Sequence, residues 1–175
     1  MKITARQLIL LAALPFTMSP LFVSQAIAAW ITPRATDNQN AELLHQIQCL
    51  PGSHVTGFTV AEQSGYGIVD VRFFCSNGLS TRWATNNRHA QRRYFRYVSE
   101  LKGLVVYEQY NFGIINFSPI ALDSLTNTIG EGARLVSNAR ENRELRIRCD
   151  SSRAIGARVY EQHHHGVVDI ALICQ

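Results

Sequence analysis

Residues 57–70 read GFTVAEQSGYGIVD, and the chain writes the same frame twice more, as GLVVYEQYNFGIIN at 103–116 and GARVYEQHHHGVVD at 156–169. Each copy is G-x-x-V-x-E-Q-x-x-x-G, then two β-branched residues, then Asp or Asn, with no gaps. Recurrence of so many fixed positions marks internal repetition. Residues 55–62, 104–108 and 155–161 before the variable stretch, and 68–75, 114–120 and 167–174 after it, are rich in Val, Ile, Phe and Tyr. A short polar segment ending in Gly67, Gly113 or Gly166 separates them. This pattern predicts a β-hairpin with a loop of three to five residues and the glycine at positive φ.

The repeat extends outward. Leu145-Arg146-Ile147-Arg148-Cys149 alternates as a half-buried strand does, giving a third strand. Upstream, Arg82-Trp-Ala-Thr-Asn86 parallels Arg134-Leu-Val-Ser-Asn138 and, more loosely, Arg34-Ala-Thr-Asp-Asn38, giving a fourth. Units of about 50 residues at 34–76, 82–121 and 134–174 account for residues 29–175 as one domain. Two segments also carry helical periodicity. Ala90, Tyr94, Tyr97, Val98 and Leu101 share a helical face, but repeat logic favours a strand there. Ser118-Pro119 followed by Leu122, Leu125, Ile129 and Gly130 predicts a short capped helix between repeats. The fold class is therefore all-β: a β-prism in which each unit forms one face, with a β-trefoil as the alternative.

The N-terminus reads as an export signal at 1–28. Lys2 and Arg6 precede an apolar run broken by Pro15 and Pro20, and Ala26-Ile27-Ala28 is a small-x-small cleavage site. A transmembrane helix is the competing reading, disfavoured by the prolines. Lys2 and Arg6 are the basic residues of the signal, so its removal takes the formal net charge from +4 to +2, too little to imply nucleic acid. Secretion or a periplasmic location is expected, with no stable membrane insertion after cleavage. Cysteines in such a chain point to disulfides. Counting back from the shared glycine, the middle copy has Phe95 or Arg96 where its neighbours have the first cysteine, and Ala121 where they have the second. Both are lost together, which predicts Cys49 with Cys75 and Cys149 with Cys174.

The hairpin pattern resembles the vitelline membrane outer layer family, on the match of residues 55–62 (VTGFTVAE) through Phe73-Phe-Cys75-Ser-Asn-Gly78. The resemblance implies a three-sheet prism whose hairpins carry a glutamate, a glycine-containing turn, an acidic or amide residue and a strand ending in Cys. A second resemblance, to dermatopontin-like cysteine loops, rests on Asp70-Val-Arg-Phe-Phe-Cys75.

Candidate chemistry lies in two sets. The carboxylates and amides Glu62 and Asp70, Glu108 and Asn116, Glu161 and Asp169 would sit diagonally on one hairpin face across a five-residue loop. Such pairs suit glycoside chemistry or Ca²⁺, but recurrence in every unit favours a structural role, accepting hydrogen bonds from turn amides. The loop tips differ where the frame does not: Tyr66 after Ser64-Gly65, then Tyr110, Asn111 and Phe112, then His163, His164 and His165. A constant frame with variable aromatic tips is how a scaffold presents a binding surface. His163 and His165 would need a third ligand to hold Zn²⁺, so no metal or other cofactor is expected. The basic run Arg88-His-Ala-Gln-Arg-Arg-Tyr-Phe-Arg96, with Arg140, Arg143, Arg146 and Arg148, reads as a solvated sheet face, an anionic glycan or lipid headgroup being its functional alternative. No nucleophile constellation, phosphate loop or dinucleotide fingerprint appears. The expected function is a lectin-like, non-enzymatic binding module acting on glycans at a cell envelope, host or matrix surface. The alternatives are a secreted factor that binds another exported protein, and a carbohydrate-active enzyme using Glu62 or Glu161.

Overall fold

The computed structural model describes residues 28–64, 66–85, 87, 89–110, 112–136, 140–163 and 165–175. The export signal read at 1–28 lies outside them except for Ala28. Among the described residues the strands are β1 (Trp30–Ile31), β2 (Leu43–Gln48), β3 (Val55–Gln63), β4 (Gly67–Cys75), β5 (Arg92–Tyr97), β6 (Glu100–Gln109), β7 (Gly113–Asp123), β8 (Thr128–Glu131), β9 (Arg143–Arg148), β10 (Ala154–Gln162) and β11 (Gly166–Cys174). They form sheet I (β4-β3-β5), sheet II (β8-β7-β6-β9) and sheet III (β1-β11-β10-β2). The fold is all-β and prism-like, three sheets around a common core, rather than a trefoil.

Each predicted hairpin forms: β3 with β4, β6 with β7, β10 with β11. Their registers coincide down to the irregularities. Each slips once after Ala61, Tyr107 or Tyr160, and once between Val55 and Gly57, Leu101 and Gly103, or Ala154 and Gly156. The third strand pairs out of phase with the sequence units. β5 adds to β3, β9 adds to β6, and β2 closes on β10. A face is thus a hairpin plus the strand that opens the next unit, not one unit folded on itself as its sequence suggests. The last face is completed by the N-terminal strands.

The first glycine of the motif permits this pairing. A Cβ on Gly57, Gly103 or Gly156 would meet the carbonyl oxygen of Arg96 at 2.6 Å, Ile147 at 2.5 Å or Ile47 at 2.3 Å. The fourth strand is an irregular edge segment. Thr81 N donates to Phe73 O (2.9 Å) and Ala84 N to Val71 O (2.8 Å), as Leu135 N does to Phe117 O (3.0 Å) and Ala35 N to Ile170 O (2.8 Å).

Alternation along the strands builds the core. Phe58 and Val60, Leu104 and Val106, Ala157 and Val159 point into one buried cluster with Phe73, Phe117, Ile170 and Leu172. Phe58 meets Phe73 and Phe117 edge-on, at centroid distances of 6.5 and 6.3 Å. Each of the Val, Leu, Ile and Phe side chains among them, fully buried, contributes roughly 1.5–3 kcal/mol.

No helix forms among the described residues. The short capped helix read at 119–129 is corrected: β7 runs through Asp123, and after a turn β8 pairs back upon it. Pro119 fits because its carbonyl accepts from Gly132 N on the edge side (2.8 Å), so its missing N–H costs the β6–β7 ladder nothing. Residues 92–97 form a strand, with Tyr94 and Val98 packed against the core.

Both disulfides form, Cys49–Cys75 and Cys149–Cys174. Because the sheets are out of phase with the units, they are seams between sheets, III to I and II to III. At the remaining seam the counterpart of the first cysteine is Val98, not Phe95 or Arg96. Val98 N donates to Thr56 O as Cys49 N does to Ile155 O and Cys149 N to Lys102 O, because the turn into β6 is shorter. Ala121, opposite Leu101, does take the place of the second cysteine.

Candidate functional site

The loop tips are three residues long, closed by Tyr66 N to Gln63 O (3.0 Å), Phe112 N to Gln109 O (2.9 Å) and His165 N to Gln162 O (2.9 Å). A glycine at positive φ follows each, Gly67 (90°), Gly113 (126°) and Gly166 (109°). These glycines touch in a cycle. A Cβ on Gly67 would meet Ile114 O at 2.7 Å, on Gly113 Val167 O at 2.9 Å, and on Gly166 Ile68 O at 2.8 Å. Every hairpin tip therefore leans on the start of the outgoing strand of another hairpin, and the tips gather at one end of the prism.

The described tip residues Tyr66, Tyr110, Phe112, His163 and His165 are exposed there, with Tyr66 and His165 rings 6.5 Å apart. Asn111 and His164 lie outside the described residues. Each tip is braced by a side chain that the sequence reading passed over. Gln91 Oε1 accepts from Ser64 N (3.1 Å), Asn142 Oδ1 from Tyr110 N (2.9 Å) and Glu42 Oε2 from His163 N (3.2 Å). All three stand just ahead of a third strand, and this shared position was the available signal. Among the described residues no group of three or more His, Cys, Asp or Glu is placed to hold a metal ion.

The recurring acidic and amide residues are buried and pin the edge segments. Asp70 Oδ1 accepts from Val71 N and Thr85 N (both 2.8 Å), Asn116 Oδ1 from Phe117 N and Val136 N (both 2.9 Å), and Asp169 Oδ1 from Ile170 N and Thr36 N (both 2.8 Å). With three-residue loops, the residue opposite each of them is Ala61, Tyr107 or Tyr160 rather than the glutamate. The expected pairing within a hairpin is corrected accordingly: the charges that face one another come from different sheets, Glu161 acting on Asp70 and Asp169 on Glu108. Burial pushes Asp70 up to about 6 against the pull of the Thr85 and Val71 amides, and Glu161 adds to the rise. Burial also raises Asp169, opposed by the Thr36 amide and Arg34, and Glu108, opposed by Arg143 at 3.2 Å. Glu161 takes a 2.7 Å hydrogen bond with His45 Nε2, and Glu62 lies opposite Arg92.

The outer faces of the sheets differ. In sheet II the Arg134 guanidinium sits 3.9 Å over the Tyr107 ring, and in sheet III Arg34 sits 4.3 Å over Tyr160. The hydrogen bonds of Ala84, Leu135 and Ala35 place Trp83, not Arg82, at the position of these arginines. The upstream alignment is thus one residue out in the unit read as opening at Arg82. Trp83 packs with Arg72 (4.9 Å) and Arg93 (5.3 Å). Beyond it, Phe74 stacks on Tyr97 at 4.8 Å, and Phe95 and Tyr97 are 67% and 64% exposed. The part of the basic run that forms β5, Arg92–Tyr97, thus lays an aromatic and arginine strip along that strand, while Arg88 lies outside the described residues.

No family model and no curated protein matches the sequence. Among solved structures, Calystegia sepium agglutinin superimposes with a TM-score of 0.56 at 10% identity, covering 86% of this chain and 98% of its own. The crystal structure of PirB superimposes with a TM-score of 0.54 at 9% identity over 73% of this chain, which spans only 31% of PirB. These likenesses place the chain among β-prism folds. The vitelline membrane outer layer family finds no match of its own.

Proposed function

We propose that the protein is an exported, disulfide-bonded, lectin-like module that binds glycans through the gathered tip end. The observation that carries this reading is the glycine cycle. It holds a rigid frame constant and sets variable, exposed Tyr, Phe and His side chains side by side. Aromatic rings stack on the C–H faces of sugars, and Asn111 with the imidazoles of His163, His164 and His165 can exchange hydrogen bonds with hydroxyls. An agglutinin is similar in fold. The signal-like residues 1–28 and the disulfides support action in an oxidising compartment, the periplasm or the medium. The amides held by Asp70, Asn116 and Asp169 support a structural role for these residues over catalysis. Kinship with the vitelline membrane outer layer family belongs to the same proposal.

A glycan array probed with oxidised residues 29–175 tests it, beside a variant with Tyr66, Tyr110, Phe112 and His163–His165 replaced by Ser. Binding by the parent and loss in the variant is the expected result. Silence from the parent would redirect the search to an exported protein partner.

A further inference from the structure

Ala61 breaks the repeat. Its counterparts Tyr107 and Tyr160 stand opposite Asn116 and Asp169 and fill the outer face under a stacked arginine, whereas Ala61 stands opposite Asp70 with only a methyl group. The arginine is replaced as well, by Trp83. Where the tyrosine ring and guanidinium sit in the other sheets, sheet I has a cleft of about 430 Å³ lined by Ala61, Asp70, Trp83, Asn87, Ala90 and Arg93, with Thr85. That volume lies within the usual range of small-ligand pockets, roughly 300–1,000 Å³.

The lining has a definite chemistry. Trp83 and Ala61 offer apolar surface. Asp70, 5% exposed, has Oδ1 committed to two backbone amides. The corresponding Asp169 gives its other oxygen to Arg34, but the edge segment of sheet I supplies no arginine at that position. Besides these amides Asp70 meets the Thr85 side chain, and among the described residues no arginine takes its second oxygen, so the carboxylate that lines the cleft retains acceptor capacity there. Arg93 brings donors and Asn87 a side-chain amide that both donates and accepts.

We propose that this cleft binds one neutral pyranose ring of a glycan, in the place that a tyrosine ring fills in the other two sheets. A pyranose matches the vacated six-membered ring in size. It sets a C–H face against Trp83 and Ala61, donates hydroxyl protons to Asp70, and accepts from Arg93 and Asn87. A sugar carboxylate is disfavoured beside Asp70, because like charges repel strongly where water is scarce. The proposal rests on the glycan-binding reading but names a different surface, the flank of sheet I below the first tip.

The test installs the missing pair. Ala61→Tyr with Trp83→Arg gives sheet I the stack that sheets II and III already carry, so the fold is expected to survive, as circular dichroism and thermal unfolding would show. Asp70→Asn retains the amide acceptor that Asn116 provides naturally. Binding of array-selected neutral glycans and of a panel of methyl hexopyranosides is titrated calorimetrically and through tryptophan fluorescence, to which Trp83 of the cleft and Trp30 of β1 contribute. The expected result is loss of hexopyranoside binding and weakened binding of the array-selected glycans in the double variant, hexopyranoside binding roughly tenfold or more weaker in Asp70→Asn, and a fluorescence change in the parent on saturation. Undiminished binding by the folded double variant would overturn the cleft while leaving the glycan reading intact. If the parent binds no glycan at all, the glycan reading fails and the cleft proposal fails with it.

Discussion

Asp70 accepts two backbone amides in a buried position where sheet II does the same work with Asn116, and this difference has a measurable electrostatic consequence. Its folded pKa of about 6 stands above the ordinary 3.8, so the native state prefers the protonated carboxyl. The resulting stabilisation is complete below the unfolded pKa and is lost as pH rises through about 6, amounting to roughly 3 kcal/mol at most. Asp70→Asn keeps the acceptor oxygen and removes the charge. The variant should unfold at a higher temperature than the parent at pH 7.5, and the gap should close as pH falls from about 6 to 4. Parallel melting curves across that range check it, and a gap independent of pH would disprove the assignment. Gly67 illustrates the opposite kind of residue, fixed by space rather than charge. At φ 90°, with Ile114 O only 2.7 Å from a prospective Cβ, Gly67→Ala should cost on the order of 1–3 kcal/mol in chemical denaturation and loosen the tip end, while Gly78→Ala, with nothing within 4 Å, should cost only its φ strain.

The strands and seams test whether the repeat is geometric as well as textual. Cys49 and Cys75 close one seam, Cys149 and Cys174 the second, and Val98 and Ala121 occupy the corresponding places at the third. Val98→Cys with Ala121→Cys should therefore oxidise spontaneously and raise stability by roughly 2–4 kcal/mol. Thiol titration and intact mass read the bond, and a melting curve reads its effect. Persistently free thiols would show that the shorter turn before β6 has moved the third seam out of register. The hairpins were legible from residues 57–70 and their two copies because a glycine-closed turn and period-two alternation are local properties. The partner of β5 was not, since Arg92–Tyr97 has the same alternation whichever hairpin it joins. The helix expected at 119–129 failed for the same reason: Leu122 and Ile129 suit a helical face, but they lie directly opposite each other across the β7–β8 pair. The pairing of Cys49 with Cys75 and of Cys149 with Cys174 was readable from the middle copy, whereas a single-residue offset hid Trp83 behind Arg82. That offset also concealed the vacated tyrosine position at Ala61, which emerges only when the three faces are compared in space.

The whole molecule closes by joining its ends: sheet III is made from the last hairpin and the strands that follow residue 28. The outer edge of β10 is therefore satisfied only when β2 arrives from the far end of the sequence, a long-range pairing that must meet a large loop-closure entropy. Cys49–Cys75 secures this closure, because it holds the end of β2 against sheet I. Cys149–Cys174 ties the end of β9 in sheet II to the end of β11 in sheet III, and neither of these strands is the N-terminal strand that closes on β10. The two bonds span loops of nearly equal length, 26 and 25 residues, so chain entropy alone assigns them equal worth. Topology does not. Replacing Cys49 and Cys75 by Ser should release β2, increase hydrogen exchange in both β2 and the facing edge of β10, and leave an unpaired edge that promotes association. Replacing Cys149 and Cys174 should lower the melting temperature while leaving protection in β2 largely intact. Hydrogen exchange read by mass spectrometry on the two variants separates the cases, and equal loss of protection in β2 from both would mean that the ends are held by the sheet alone and the first disulfide has no special part in closing the prism.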